Sequence, residues 1–573
     1  MKQYGYWLRR WPLAAPLADA VKWTRNPRLM RRMMDDARRT WADAAFVRTL
    51  PSRHVKAKRV LILSMVDTPY NVKLESMLAL ELRRRGWRVQ VLTSRVYTYA
   101  RRIFAAFGIT DLIPFESLTS MARTRRAVMA ETARRAREPM DFKSVLQWTY
   151  GEAWIGPHIL SAVSRKTFSG APDPRDPIVR TEILRQLPTL LGFVHAAEQF
   201  LAAQRPDLIL VNEPNSALGS FVDTAIAHRI PVVQFVQPSR EDALVFKRLT
   251  RETRRIHPNS VARAMLGQLA AEPWTQAHDR ALDEEFRARY GGAWRIQARN
   301  QPGAVDMSAP EIREALALDP AKKTAVLFSH VLWDANLFYG QDLFDNYGHW
   351  FVETVKAAIA NPRVNWIVKL HPANLWKREL SGVRSEYDEL RLIRRHVDNL
   401  PDHVRLLEPD TRISTLSLFR MIDAGITVRG SIGYELPCFG VPVITAGTGR
   451  YSGFGFTRDH DSAAAYLATL AGIETVPRLG KEATHLAKIH AYALLARRPW
   501  QYRSFRSIIG RDITDPMCQN MELTAPSFEM IDRNGDLAAF ADWAIGDVEV
   551  DFLAPDPLAA PASAAHAAAE RIR

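Results

Sequence analysis

Two kinds of apolar pattern alternate along the chain from Arg59 onward. "RVLILSM" is an unbroken apolar run, as a strand covered on both faces requires. "NVKLESMLALELRRRG" then has amphipathic helical spacing and ends at Gly86, and "WRVQVLTS" is apolar again. Strand, helix and strand in that order make a β-α-β unit with a parallel sheet. "PDLILVNEP" and "IPVVQFVQP" predict two more short strands around the helix "SALGSFVDTAIAHR", and residues 115–200 ahead of them read as helical and arginine-rich.

The pattern restarts at Lys322. "KTAVLFSH", "VNWIVKLHP", "HVRLLEP", "DAGITVRGS" and "VPVITAG" predict strands. "YGHWFVETVKAAIAN", "TLSLFRMI", "IGYELPCFG" and "DSAAAYLATLAG" predict the helices between and after them. The fold class is therefore α/β, with two Rossmann-type doubly wound domains facing a cleft and helical extensions at both ends. The expected boundaries are a basic helical extension over 1–58, a first domain with a helical insertion over 59–265, and a helical connection over 266–318. A second domain follows over 319–480, then C-terminal helices over 481–552 and a disordered Ala/Pro-rich tail over 553–573.

In the N-terminal extension, "RNPRLMRRMMDDARRTWADAAF" puts Leu29, Met33, Ala37, Trp41 and Phe46 near one helical face, with arginines elsewhere. Trp7, Trp11 and Trp23 add aromatic bodies. Such a helix either lies on an anionic membrane surface or caps the next domain.

Composition narrows the class. Hydrophobic residues make up 47% and charged residues 24% of the 573 positions, as in a globular protein with more than one core. The only cysteines are Cys438 and Cys518, which excludes a disulfide framework or a Cys-rich zinc site and suits a reducing compartment. The formal net charge of +16, carried mostly by arginine, favours anionic partners. No stretch is long and apolar enough to span a bilayer, and the start lacks a clean signal-peptide core, so a cytoplasmic location is expected. No aromatic-basic recognition motif stands out, so no nucleic-acid partner is expected.

The chemistry-bearing residues fall where predicted strands end, which is where doubly wound sheets bind ligands. Lys369 closes the apolar run of "VNWIVKLHP"; His371 follows, held in extended geometry by Pro372, and is able to donate to a phosphate. A second His-Pro, His257-Pro258, has no apolar strand leading into it. In "VRGSIGYELPCFGVPVI" a strand ends at Gly430-Ser431 and a helix opens at Ile432-Gly433. Its N-terminus favours an anion, Gly433 allows close approach of a phosphate, and Glu435 is placed to accept from a ribose hydroxyl. In "FSHVLWDANLFYGQDLFDNY" Ser329 and His330 end the first strand of this block, and the loop that follows, with Asp334, Asn336 and Tyr339, would face the cleft between the domains.

The first domain offers Asp67, Asn71, Glu213 and Asn215 at its strand ends, then Gln237, Arg240, Glu241 and Asp242. An acceptor hydroxyl needs a base, for which Asp67 and Glu213 are the candidates there. Asp459 and Asp461 form an Asp-x-Asp pair, but Asp461 precedes a helix and reads as an N-cap, so no essential metal is expected. There is no Walker loop, no Gly-x-Ser-x-Gly elbow, and no Gly-x-Gly-x-x-Gly after the first strand, so a tightly held dinucleotide is not expected.

"WIVKLHPAN" with "GSIGYELPCFGVPVI" resembles the capsule and surface polysaccharide glycosyltransferases of the GT-B fold, the Kdo-transferase-like and sialyltransferase-like enzymes among them. The resemblance is clearest over 320–450 and only architectural over 59–265. It implies that His371 contacts the nucleotide of a CMP-sugar, CMP-Kdo favoured, and that Ser431 with Gly430 and Gly433 holds the phosphate. It also implies a metal-independent enzyme with no cofactor besides the nucleotide-sugar co-substrate. The acidic-acidic-Gly motif that supplies the base in some CMP-sialic acid users is absent here, which leaves sugar, base and stereochemistry open.

The expectation is a glycosyltransferase that builds a capsular or cell-surface polysaccharide. His371, Pro372, Lys369, Gly430, Ser431, Gly433 and Glu435 would bind the donor; Asp67, Glu213, His330 and Asp334 are the catalytic candidates. The partners would be a nucleotide-sugar, an anionic or lipid-linked glycan acceptor, and the inner membrane surface through the basic N-terminal helices. The alternatives are a sugar-nucleotide epimerase or glycerophosphate transferase of similar fold, and a non-catalytic scaffold in polysaccharide assembly.

Overall fold

The computed structural model describes residues 14–50, 58–119, 122–214, 217–298, 300–301, 303–334, 337–382, 386–546 and 549–559. Trp7, Trp11, Asn215, Asn336 and the tail beyond residue 559 lie outside them.

In the first domain, β1 (Arg59–Leu63), β2 (Arg88–Thr93), β3 (Leu112–Pro114), β4 (Leu208–Asn212) and β5 (Val232–Val236) pair in parallel in the order β5-β4-β1-β2-β3. Val60 and Ile62 pack with Leu78 and Ile103 on one face, Leu61 and Leu63 with Phe221 and Val222 on the other. Burial on both faces is why β1 reads as a continuous apolar run. A sixth strand, β6 (Ala243–Leu249), runs antiparallel beside β5. The sequence reading missed β6 and β3.

The second domain holds β7 (Thr324–Phe328), β8 (Asn365–Lys369), β9 (Val404–Leu407), β10 (Ala424–Thr427) and β11 (Val443–Thr445), all parallel, in the order β11-β10-β7-β8-β9. The chain moves outward from β7 to β9, then returns to β10 on the other side of β7. That reversal opens a crevice at the carboxyl ends of β7 and β10, where such sheets hold ligands. The first domain repeats the reversal between β1 and β4. The two doubly wound domains are the GT-B-like architecture that the pattern predicts. The helical insertion belongs to both domains: in the helix Ile155–Thr167, Ser161 Oγ accepts from Leu337 N at 3.1 Å, and Gly348 N donates to Gly170 O at 3.1 Å.

The expectation of helices alone over 481–552 is corrected. After the helix Lys481–Tyr492 the chain crosses back and adds β12 (Trp500–Gln501) antiparallel to β6. It then forms a hairpin of β13 (Phe505–Ile509) and β14 (Gln519–Leu523), followed by the helices Phe528–Asn534 and Asp536–Ile545. These elements cover the helix Pro69–Arg84, so its predicted polar face is buried as well, Lys73, Glu75 and Glu81 included. The tail also starts later than expected: Ala554 N donates to Arg497 O at 2.7 Å, and Asp556 lies 3.0 Å from His278 Nε2.

Asp551 clamps the crossings between the domains. It accepts from Lys247 Nζ on β6 at 2.6 Å and from Ala262 N at 2.8 Å, and lies 3.1 Å from Arg498 Nη2. All three charged side chains are fully buried, and removing one member of such a group costs about 3–5 kcal/mol.

The helix Pro27–Asp43 caps the first domain. Its buried stripe is Met30, Met33, Asp36, Ala37 and Thr40, whereas Trp41 is 47% exposed. The predicted face is therefore rotated. Asp36 turns inward because Lys73 (2.9 Å) and Asn520 (2.9 Å) donate to it, with the Tyr99 hydroxyl as a third donor (2.5 Å). No described helix is long and apolar enough to cross a membrane.

Candidate functional site

A pocket of about 480 Å³ lies over the carboxyl ends of β7, β8 and β10. It opens into a cavity of about 570 Å³ that reaches Glu213 and Gln237 at the ends of β4 and β5. His330, His371, Gly430, Ser431 and Arg289 line both, so the two form one cleft between the domains.

β8 delivers Lys369 and then His371. The Ala373 N–H donates to His371 Nδ1 at 3.1 Å, which leaves the ring hydrogen on Nε2. The His371 N–H donates to Ser329 Oγ at 3.2 Å, tying the end of β8 to the end of β7. Burial, with Lys369 nearby, pushes the His371 imidazole down to about 4. His330 is pushed down to about 3 by burial and by His371, Arg429 and Arg450. Both rings are thus neutral near pH ~7. His330 Nε2 lies 3.2 Å from Thr427 Oγ1.

Lys369 is 2% exposed, and its Nζ has no hydrogen-bond partner among the described residues. Burial pushes the ammonium down to about 8. An unpaired charge beneath the pocket floor is felt strongly by an anion above it, because little water screens it.

The turn after β10 differs from expectation in three ways. The helix Ile432–Glu435 is a single turn, and two of its N–H groups are already used: Gly433 N donates to Gly430 O at 3.1 Å and Tyr434 N to Ser431 O at 3.0 Å. Gly433 makes room for protein, not ligand, since a Cβ at this position would stand 1.9 Å from Tyr451 Cζ. Glu435 is fully buried and accepts from the Tyr290 hydroxyl at 2.6 Å, with Arg289 Nε at 3.0 Å, so it is closed to a ribose. It acts through others: Arg289 donates to Ser431 Oγ at 3.2 Å, and Ser431 Oγ donates to Glu435 at 3.3 Å. Ser431 and Gly430 line the pocket together with Pro372.

The catalytic candidates separate. Asp67 lines neither cavity; it accepts from Lys22 Nζ at 2.8 Å and from Ala100 N at 2.9 Å, fastening the N-terminal helices. Asp334 lines the larger cavity but is paired with Lys377 and lies 3.7 Å from Arg165. Glu213 opens onto the cleft, and the surrounding walls push its carboxyl up, against the opposing pull of Lys377 and Arg165. Of the remaining loop residues, Arg240 and Asp242 pair with each other at 2.6 Å. Asp459 accepts from Thr445 Oγ1 at the end of β11 and from Gly453 N, and the N-cap beside it is Ser462, not Asp461. No group of three or more His, Cys, Asp or Glu among the described residues is arranged to hold a metal ion.

Sequence reasoning missed Arg289, Tyr290, Arg429 and Arg450, which line the cleft, and passed over His257. Arg429 lies inside the quoted "VRGSIGYELPCFGVPVI" and was given no role. Arg289 and Tyr290 come from the interdomain connection, where nothing local marks a pocket wall.

No protein-family description matches the sequence, and no curated protein matches it. Among solved structures, a KpsC β-Kdo 2,4 transferase from Thermosulfurimonas dismutans is similar at 15% identity over 58% of this chain and 87% of that one, with a TM-score of 0.30. A UDP-GlcNAc 2-epimerase from Neisseria meningitidis, bound to UDP-GlcNAc, is similar at 11% identity over 76% and 96%, with a TM-score of 0.25. Anabaena HepE in complex with UDP-glucose is similar at 12% identity over 77% and 94%, with a TM-score of 0.26. At those TM-scores the likenesses carry no functional inference.

Proposed function

We propose that the protein is a nucleotide-sugar-dependent glycosyltransferase whose donor phosphate sits in the pocket over β7, β8 and β10. One observation carries this reading: the unpaired ammonium of Lys369 lies beneath a pocket rimmed by the His371 donor and by Ser431. A departing nucleotide gains negative charge, and fixed donors of this kind stabilise it where water is excluded. Glu213, across the cleft, takes the proton of the acceptor hydroxyl; its raised pKa suits a base. The bond from the sugar to the phosphate oxygen breaks, and the bond to the acceptor oxygen forms.

The donor we favour is a CMP-sugar such as CMP-Kdo, and the acceptor a capsular or cell-surface polysaccharide. The residue-level resemblance over 320–450 supports both. No step calls on a metal. The test is transfer from a panel of nucleotide-sugars by the His371→Ala and Ser431→Ala proteins. Full activity in both ends the assignment, and a released epimer or a transferred phosphodiester replaces it.

A further inference from the structure

The larger cavity holds a second His-Pro turn. Asn259 N–H donates to His257 Nδ1 at 3.1 Å, the same contact at the same separation that Ala373 makes with His371. The hydrogen of His257 is therefore on Nε2, and the ring is a fixed neutral donor. Unlike His371, it comes from the segment that crosses between the domains. Arg498 Nη2 donates to Pro258 O at 3.1 Å, so the buried clamp at Asp551 holds this turn in place.

The surroundings of His257 are cationic. The charges that act on it are Arg450, Lys247 and Arg429, and burial keeps the ring itself neutral. Lys247 is compensated by Asp551 and Arg429 by Asp342. Arg450 lines the same cavity, lies over the Tyr434 ring at 5.8 Å, and pairs with no carboxylate among the described residues. Arg429 keeps two buried guanidinium N–H groups, on Nε and Nη1, without acceptors among the described residues. Positioned donors beside an uncompensated guanidinium recognise a carboxylate or a phosphate.

We propose that His257 and Arg450 form a second anion subsite in the cleft, for a carboxylate or phosphate of the substrate other than the phosphate beside His371. It rests on the nucleotide-sugar reading above and deepens it: the substrate pair brings two anions into the cleft. The second anion is either the acid of the donor sugar or a charged group on the acceptor.

Calorimetry on the full chain distinguishes the sources, with CMP, CMP-Kdo and methyl phosphate as probes. If the donor carries the anion, CMP-Kdo binds more tightly than CMP. His257→Phe and Arg450→Met then each reduce that advantage about tenfold and leave CMP affinity unchanged, and His257→Gln restores most of it. If the acceptor carries it, methyl phosphate binds to the CMP-saturated protein, and the same two variants weaken it. Unchanged CMP affinity also shows that the variants are folded. The subsite is overturned if CMP binds but neither variant alters either anion. Failure of CMP to bind overturns the nucleotide reading instead; methyl phosphate alone then decides the subsite, by whether it binds and whether His257→Phe weakens it.

Discussion

Arg289 Nε stands 3.0 Å from Glu435 Oε1, and this buried contact fastens the interdomain connection to the turn that carries Ser431. Glu435→Gln keeps the shape and strands the Arg289 charge. The expected loss is about 3 kcal/mol of stability without any ligand, read by urea denaturation, together with weaker nucleotide binding. A variant with unaltered stability would show that the pair does not hold the wall.

His371 donates as a neutral ring, so its removal acts on the charge that develops in the transition state. His371→Ala is expected to lower kcat about 100-fold, with a smaller effect on KM. The wild-type rate profile should show no inflection near pH ~6.5, because the imidazole is pushed down to about 4. An inflection there that disappears with His371→Ala would contradict the neutral-donor role.

Lys369 gives the site its own pH dependence. The ammonium is pushed down to about 8, and only the charged form attracts a phosphate. Nucleotide affinity should therefore hold below that value and fall above it by up to about tenfold per pH unit, while Lys369→Met binds weakly and without that slope. Titration calorimetry across the range checks this.

The two carboxylates proposed as bases from sequence have opposite expectations. Glu213→Gln should lower transfer about 1000-fold and leave nucleotide affinity intact. Asp67→Asn should keep transfer and loosen the N-terminal helices, because Lys22 loses its carboxylate partner while one amide oxygen remains to accept from Ala100 N. Limited proteolysis beside a transfer assay separates the two. Equal loss of transfer in both variants would remove Glu213 from its role.

Glu75 is a buried carboxyl in the helix Pro69–Arg84, pushed up to about 8 by burial. The folded protein keeps this proton up to about 8, whereas the unfolded chain releases it near 4.5. The contribution of Glu75 to stability is therefore complete below that lower value, falls as pH rises toward about 8, and is flat beyond. At pH ~7 the deficit is up to about 3 kcal/mol, and Glu75→Gln should recover much of it and flatten the curve. A steeper curve in the variant would contradict this assignment.

The parallel sheets were legible because their strands are covered on both faces, which writes unbroken apolar runs such as "RVLILSM" and "VNWIVKLHP". His371 was legible for the same reason: a long apolar run ends beside it. β12 was not, because it is two residues long and its partner, β6, lies some 250 positions earlier. Glu435 and Gly433 were found but misread. Their neighbours, Arg289 and Tyr451, arrive from elsewhere in the chain, and only the folded structure shows that they occupy the space a ligand was expected to fill.

The return of the chain to β6 has a consequence for synthesis. The edge of the first sheet, the cover of the helix Pro69–Arg84 and the partner of Lys247 are all encoded beyond residue 499. A ribosome making this protein therefore exposes the earliest domain unfinished while the later one is already being translated. Nascent chains halted before Trp500 should hold their leading half open to proteases and chaperones, and the whole molecule should close in one late step.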